Sequence, residues 1–229
     1  MAIDISDLTS FYSPELFKSG NNSVILEEKQ QNAGALSSVE ILTPGEYILI
    51  KPGFLNESKE AYRKIDKHIS YRDINDGTLL VEYKGKRYLV YIELKSGYNG
   101  VCSKTIYQLP VSSIKIKSYL RNFASYTPGE YEEVGLIVSF PPKTSDKYDD
   151  SNNDMVLANK TGYAALQNNA ENKFDKGFRQ HSMVNANASD YPTLDQSRLH
   201  QDIKFNTLDI YHHTVNGNGE KIDLSQYLH

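Results

Sequence analysis

The sequence predicts an α/β (α+β) fold, a mixed central β-sheet flanked by helices, and three observations carry that expectation. Residues 76–97 alternate as a β-hairpin does, residues 103–123 place apolar side chains at helical spacing, and Val134–Phe140 is an unbroken apolar run with the length of a buried strand. Hairpin, helix and buried strand, in that order, are what a sheet covered by a crossover helix requires. The chain has 229 residues, enough for a substantial core, and we read it as one domain. The core falls at about 40–140, and a C-terminal helix and hairpin extension at about 155–229.

Upstream of the hairpin, Ser10–Asn22 is punctuated by Pro and Gly, and Val24–Asn32 fits either a short helix or a strand. Val39–Leu42 and Glu46–Lys51 read as strands around a Thr-Pro-Gly turn, and Glu57–His68 has helical spacing around Tyr62 and Ile65. The first hairpin strand alternates around Leu79, Val81 and Tyr83. After a Lys-Gly-Lys-Arg turn, the second runs from Tyr88 to Gly97. In the helical segment Ile106, Leu109, Ile114, Leu120 and Phe123 face inward, with Lys115, Lys117 and Arg121 offered to solvent. Pro110 lacks a backbone donor, so a kink or two abutting short helices is expected there. Pro141-Pro142 ends the buried strand. Beyond it, Lys143–Asn153 reads as a solvated loop, Tyr163–Phe178 as a helix and Asn185–Pro192 as a loop. Phe205–Val215 reads as a strand that Asn216–Gly219 turns into Glu220–Leu224, a terminal hairpin.

Composition narrows the function. The formal net charge is −4, which argues against a protein that coats nucleic acid nonspecifically. The average hides an asymmetry: Lys84–Arg121 holds eight basic residues against the single acid Glu93, a net +7 that leaves −11 for the rest. A basic segment around one carboxylate is the one-dimensional form of a phosphate-binding metal site, and Lys84, Lys86, Arg87 and Lys104 are its candidate nucleic-acid contacts. The single cysteine, Cys102, excludes an internal disulfide and a Cys-based zinc cluster. No long apolar run spans a membrane, and the acidic N-terminus does not read as a signal peptide, so a cytoplasmic protein with no membrane partner is expected. Asp150, Asn152 and Asp154 start like a calcium loop, but Met155 stands where Gly is needed. His212 and His213 are adjacent on a strand, point to opposite faces and do not readily share one ion. No phosphate loop, nucleophile elbow, dinucleotide fingerprint or repeat is present.

The chemistry concentrates in the hairpin. Side chains two apart on a strand share a face, so Glu93 and Lys95 project together while Ile92 and Leu94 pack behind them. The hairpin folds Asp76, at the mouth of the first strand, toward Glu93. Two carboxylates beside an ammonium suit Mg²⁺, which takes hard oxygen ligands and is held by one or two carboxylates plus substrate phosphate.

Asp76, Glu93-Leu94-Lys95 and Gln108 in the following helix, with the acids 17 positions apart, resemble the PD-(D/E)XK nuclease superfamily over roughly residues 70–140. Asn75 stands where that pattern has Pro, and Asp73 competes with Asp76 as the first acid. The resemblance implies a restriction-endonuclease-like core and a nuclease dependent on Mg²⁺ or Mn²⁺. Asp76 and Glu93 would hold the metal with the Leu94 carbonyl, Lys95 would position the water, and Gln108 would support the site. A further acid from Glu27, Glu28, Glu40 or Glu60 is undecided. DNA is the implied substrate ahead of RNA, and phage defence or restriction the implied setting. A homodimer or a partner subunit in a defence complex fits the same picture. The alternative is a catalytically inactive nuclease fold acting as a binding or scaffold subunit.

Overall fold

The computed structural model describes residues 3–27, 35–57, 74–96, 105–141, 183–191 and 194–229. Helix α1 (Ile5–Phe11) starts at a capping box in which Asp4 accepts the Asp7 N–H at 2.9 Å and Asp7 accepts the Asp4 N–H at 3.3 Å. Strands β1 (Phe17–Glu27) and β2 (Ser38–Ile50) pair antiparallel. Their register skips from Asn21↔Glu46 to Ser23↔Leu42, so Asn22, at φ 68°, faces Thr43-Pro44-Gly45. The expected Thr-Pro-Gly turn is therefore a bulge inside one strand. A bulge accommodates Pro without breaking the ladder on both sides, and Thr43 Oγ1 braces it by donating to the Gly45 carbonyl at 2.8 Å.

Helix α2 (Pro52–Glu57) follows, and β3 (Gly77–Tyr83) then pairs with β4 (Lys86–Lys95) as a hairpin. Only Lys84 and Gly85 form the turn, at φ 51° and 78°, the two positive values of a type I′ connection; Lys86 and Arg87 already belong to β4. Helix α3 (Ile106–Leu120) crosses to β5 (Tyr131–Ser139), which runs parallel to β4. Strands β6 (Val184–Asn187), β7 (Thr207–Thr214) and β8 (Lys221–Asp223) complete the described elements.

Together the strands form a mixed eight-stranded sheet in the order β1-β2-β3-β4-β5-β7-β6, with β8 beside β2, and three α-helices lie among the described residues: an α/β fold. One sheet face buries Leu80, Leu89, Tyr91, Ile137 and Ile210 with Leu109, Val111 and Ile116 of α3. The other buries Leu79, Val90, Ile92, Leu94, Leu136 and Val138 with Ile222, Leu224 and Leu228. β4 is consequently buried on both faces from Tyr88 to Leu94, as a central strand between two covered layers must be. α3 sits close on β5: a Cβ at Gly135 would lie 3.0 Å from Leu109 Cδ1 and 2.9 Å from Ile210 Cγ1.

Several expectations need correction. α3 is one continuous helix despite Pro110, which stands at its fifth residue, where the ring deletes only the bond to the Ile106 carbonyl. Lys115 and Lys117 are buried rather than offered to solvent. The reason is a third layer over the helix, where Tyr107 packs edge-on against Tyr191 and Lys117 donates to the Lys204 carbonyl at 2.7 Å. Residues 184–187 are a strand, not loop. The terminal hairpin does not form: β7 lies between β5 and β6, whereas β8 pairs parallel with β2 through Ile41↔Ile222. The C-terminal strands are thus integral to the central sheet and not an extension. β3 covers β2 only from Tyr47 to Ile50, and β8 fills the vacant edge at Glu40–Leu42, where an unpaired buried ladder would be costly. The expected helices at 57–68 and 163–178 and the loop at 143–153 lie outside the described residues, apart from Glu57 at the end of α2. No described helix is long and apolar enough to cross a membrane.

Candidate functional site

β3 and β4 bring the two predicted acids together. Their register ends at Gly77↔Ile92, and Asp76, at a bend just before β3, lies close enough for its charge to act on Glu93. The regular ladder stops there: the Asp76 N–H donates to the carbonyl of Ile92, the residue already paired with Gly77, at 2.9 Å. The Asp76 carboxylate then takes over the next rung, accepting the Leu94 N–H at 2.7 Å. In an extended strand the N–H and C=O of one residue point to the same side, so the Leu94 carbonyl also leaves β4 on the Asp76 side.

Glu93 is 1% exposed and lies on the sheet face that carries α3. Lys95 Nζ donates to its Oε1, while Oε2 is buried with no hydrogen-bond partner among the described residues. Burial and then the neighbouring Asp76 charge push the Glu93 carboxyl up to about 8, against the pull of Lys95. A buried acid with an open oxygen, beside a second carboxylate and a carbonyl, is a donor set that a hard divalent cation fits. Such an ion supplies the charge compensation that one lysine does not.

Gln108 supports the site from α3. Its Nε2 donates to the Ile74 carbonyl at 2.8 Å, immediately upstream of the first acid. Ser112, one turn further along the same helix face, accepts the Asn75 N–H at 3.0 Å. Asp73, the rival first acid, lies outside the described residues; Asp76 is the acid whose carboxylate sits on the Leu94 N–H beside Glu93.

The basic candidates are placed elsewhere. Lys84 begins the hairpin turn, and six residues of extended strand separate Arg87 from Glu93, about 20 Å. Lys86 pairs with Glu132 at 2.8 Å, Arg87 with Glu130, and Lys84 Nζ lies 4.8 Å from the Tyr83 ring centroid. Lys104 lies outside the described residues. Of the candidate additional acids, Glu40 pairs with Lys221 at 3.4 Å and Glu27 ends β1, while Glu28 and Glu60 fall outside. Among the described residues, no three His, Cys, Asp or Glu side chains converge as a metal cluster.

One neighbour was not anticipated. The parallel register sets Glu93, Ile137 and His212 in one cross-sheet row, and Lys95, Ser139 and Thr214 in another. His212 Nε2 lies 2.8 Å from Ser139 Oγ, both buried, which joins β7 to the strand end beside Lys95. His213 points the other way and meets Tyr227 Oη at 2.5 Å. Opposite faces are what adjacency predicts; which face holds Glu93 required the strand order.

Comparison with models of protein families, with curated proteins and with solved structures finds no match for this chain.

Proposed function

We propose that this protein is a divalent-metal-dependent phosphodiesterase, a nuclease with a restriction-endonuclease-like core acting on DNA. The observation that carries the reading is the meeting of Asp76 and Glu93 at the hairpin end, with one Glu93 oxygen open and the Lys95 ammonium on the other. Asp76, Glu93 and the Leu94 carbonyl would hold Mg²⁺ or Mn²⁺, which supplies charge for phosphate oxygens and acidifies a water. Lys95 donates to one Glu93 oxygen in the metal-free protein; with the acid engaged by the metal, its ammonium would orient the attacking water and offset charge on the phosphoryl group. Gln108 ties Ile74, two residues before Asp76, to α3.

Incubation of the purified protein with linear, circular and single-stranded DNA and with RNA, in Mg²⁺, Mn²⁺ or EDTA, tests the reading. Cleavage that requires metal and is lost in Glu93→Ala is the expected result, with DNA cut faster than RNA. Wild-type protein that neither binds Mn²⁺ nor cuts any of these substrates would overturn it.

A further inference from the structure

The first acid is held by more than the hairpin. Asn75 is 2% exposed, and its side chain reaches forward over Asp76: Nδ2 donates to the Gly77 carbonyl and lies 3.1 Å from Thr78 Oγ1. A side-chain amide N–H that donates to the carbonyl two residues ahead bridges across the residue between and closes a local turn around it, with the opposite polarity to an Asx turn, in which the side-chain oxygen accepts. The Asn75 N–H is in turn committed to Ser112 Oγ at 3.0 Å, and Ser112 is wholly buried in α3. Asp76 is therefore flanked on its N-terminal side by an Asn whose donors all have assigned acceptors, and that Asn is pinned to the helix.

We propose that Asn75 and Ser112 are positioning residues that fix the Asp76 carboxylate on the Leu94 N–H, and so set the geometry of the candidate metal site from α3. The metal-site part of this statement rests on the function proposed above; the positioning part rests on the hydrogen bonds alone. Neither residue needs to touch an ion or substrate. Removing the Ser112 hydroxyl leaves the Asn75 N–H with nothing to bond, and removing the Asn75 amide opens the turn. In both cases Asp76 gains freedom to leave Leu94, while the β3–β4 ladder further along the hairpin keeps its own bonds.

The test is amide hydrogen exchange, followed by NMR on the full-length protein in EDTA, for wild type, Ser112→Ala, Asn75→Ala and Asp76→Asn. The Leu94 amide should exchange about tenfold faster in both Ser112→Ala and Asn75→Ala, the effect of losing one buried hydrogen bond, and move toward its behaviour in Asp76→Asn. The amides of Leu89 and Val90 should stay within about twofold of wild type, because their bonds are untouched. Leu94 protection equal to wild type in both variants would overturn the proposal. So would a uniform acceleration along β3 and β4, which is general destabilisation. Mn²⁺ affinity is the second readout, expected to fall about tenfold in each variant. Unchanged affinity with accelerated Leu94 exchange would overturn the link to the metal site. Wild type that neither binds Mn²⁺ nor cuts DNA or RNA would instead refute the proposed function, and the exchange result would still decide the positioning of Asp76.

Discussion

Glu93 concentrates the electrostatics of this molecule in one side chain. Its carboxyl has an ordinary value of 4.5 and is held at about 8 in the fold by burial and the Asp76 charge. The metal-free fold therefore keeps a proton that the unfolded chain releases, and the associated stability is present below pH 4.5 and lost as pH rises toward 8. In EDTA, Glu93→Gln should match wild type near pH 4.5 and be the more stable protein above pH 8, by about 1–3 kcal/mol. Denaturant melts across this range check it, and a gap independent of pH would contradict it. At the proposed metal site metal and proton would compete for the same oxygens, so Mn²⁺ affinity measured calorimetrically should rise between pH 6 and 8 with proton release, and level off above. At this scale the sequence is a good guide where the argument is local. Asp76, Glu93 and Lys95 follow from a two-residue period and a short turn. Asn75, Ser112 and His212 do not, because their partners lie 37 and 73 residues away along the chain.

Among the elements, α3 differs most from its amphipathic expectation. The apolar spacing reveals the helix, but not that Tyr191 and Lys204 meet its outer face, and so two lysines end up buried. Lys117 is accommodated because Glu133 of β5 meets it at 2.7 Å, and Glu133 also accepts from Ser113 and from Tyr91 at 2.9 Å. Removing one member leaves a largely buried carboxylate without its counter-charge. Lys117→Met should cost about 3 kcal/mol of stability, read from urea unfolding, and a neutral effect would show that Glu133 is adequately held by hydroxyls alone. The close approach at Gly135 makes a second expectation. Gly135→Val, favourable for a strand by propensity, should destabilise by about 1–3 kcal/mol through contact with Leu109 and Ile210. A stabilised variant would mean that the helix moves outward easily.

For the whole molecule, topology rearranges what one-dimensional windows imply. The +7 segment looks like a continuous basic surface, yet parallel pairing of β4 with β5 lays Glu130, Glu132 and Glu133 beside Arg87, Lys86 and Lys117. Those acids lie just past the window, and only the strand register reveals them. The hairpin turn is also at the far end of β4 from the acids. Lys86→Gln combined with Arg87→Gln should accordingly leave DNA cleavage within about twofold of wild type, since exposed ion pairs are worth little and the turn is remote; a tenfold loss would make the turn a substrate contact after all. The same limit applies to the C-terminal strands. Local sequence shows that Glu220–Leu224 is extended, whereas the choice of β2 over β7 as partner depends on an edge left vacant nearly two hundred residues earlier.

Lys95 is proposed to act in chemistry at a metal site built by Asp76 and Glu93. The most direct test is Lys95→Ala, assayed side by side with wild type for Mn²⁺ binding and for cleavage of linear DNA. Mn²⁺ affinity within a few-fold of wild type, with the cleavage rate down about a hundredfold or more, is the result predicted. Metal-dependent cleavage by Lys95→Ala at the wild-type rate would contradict it.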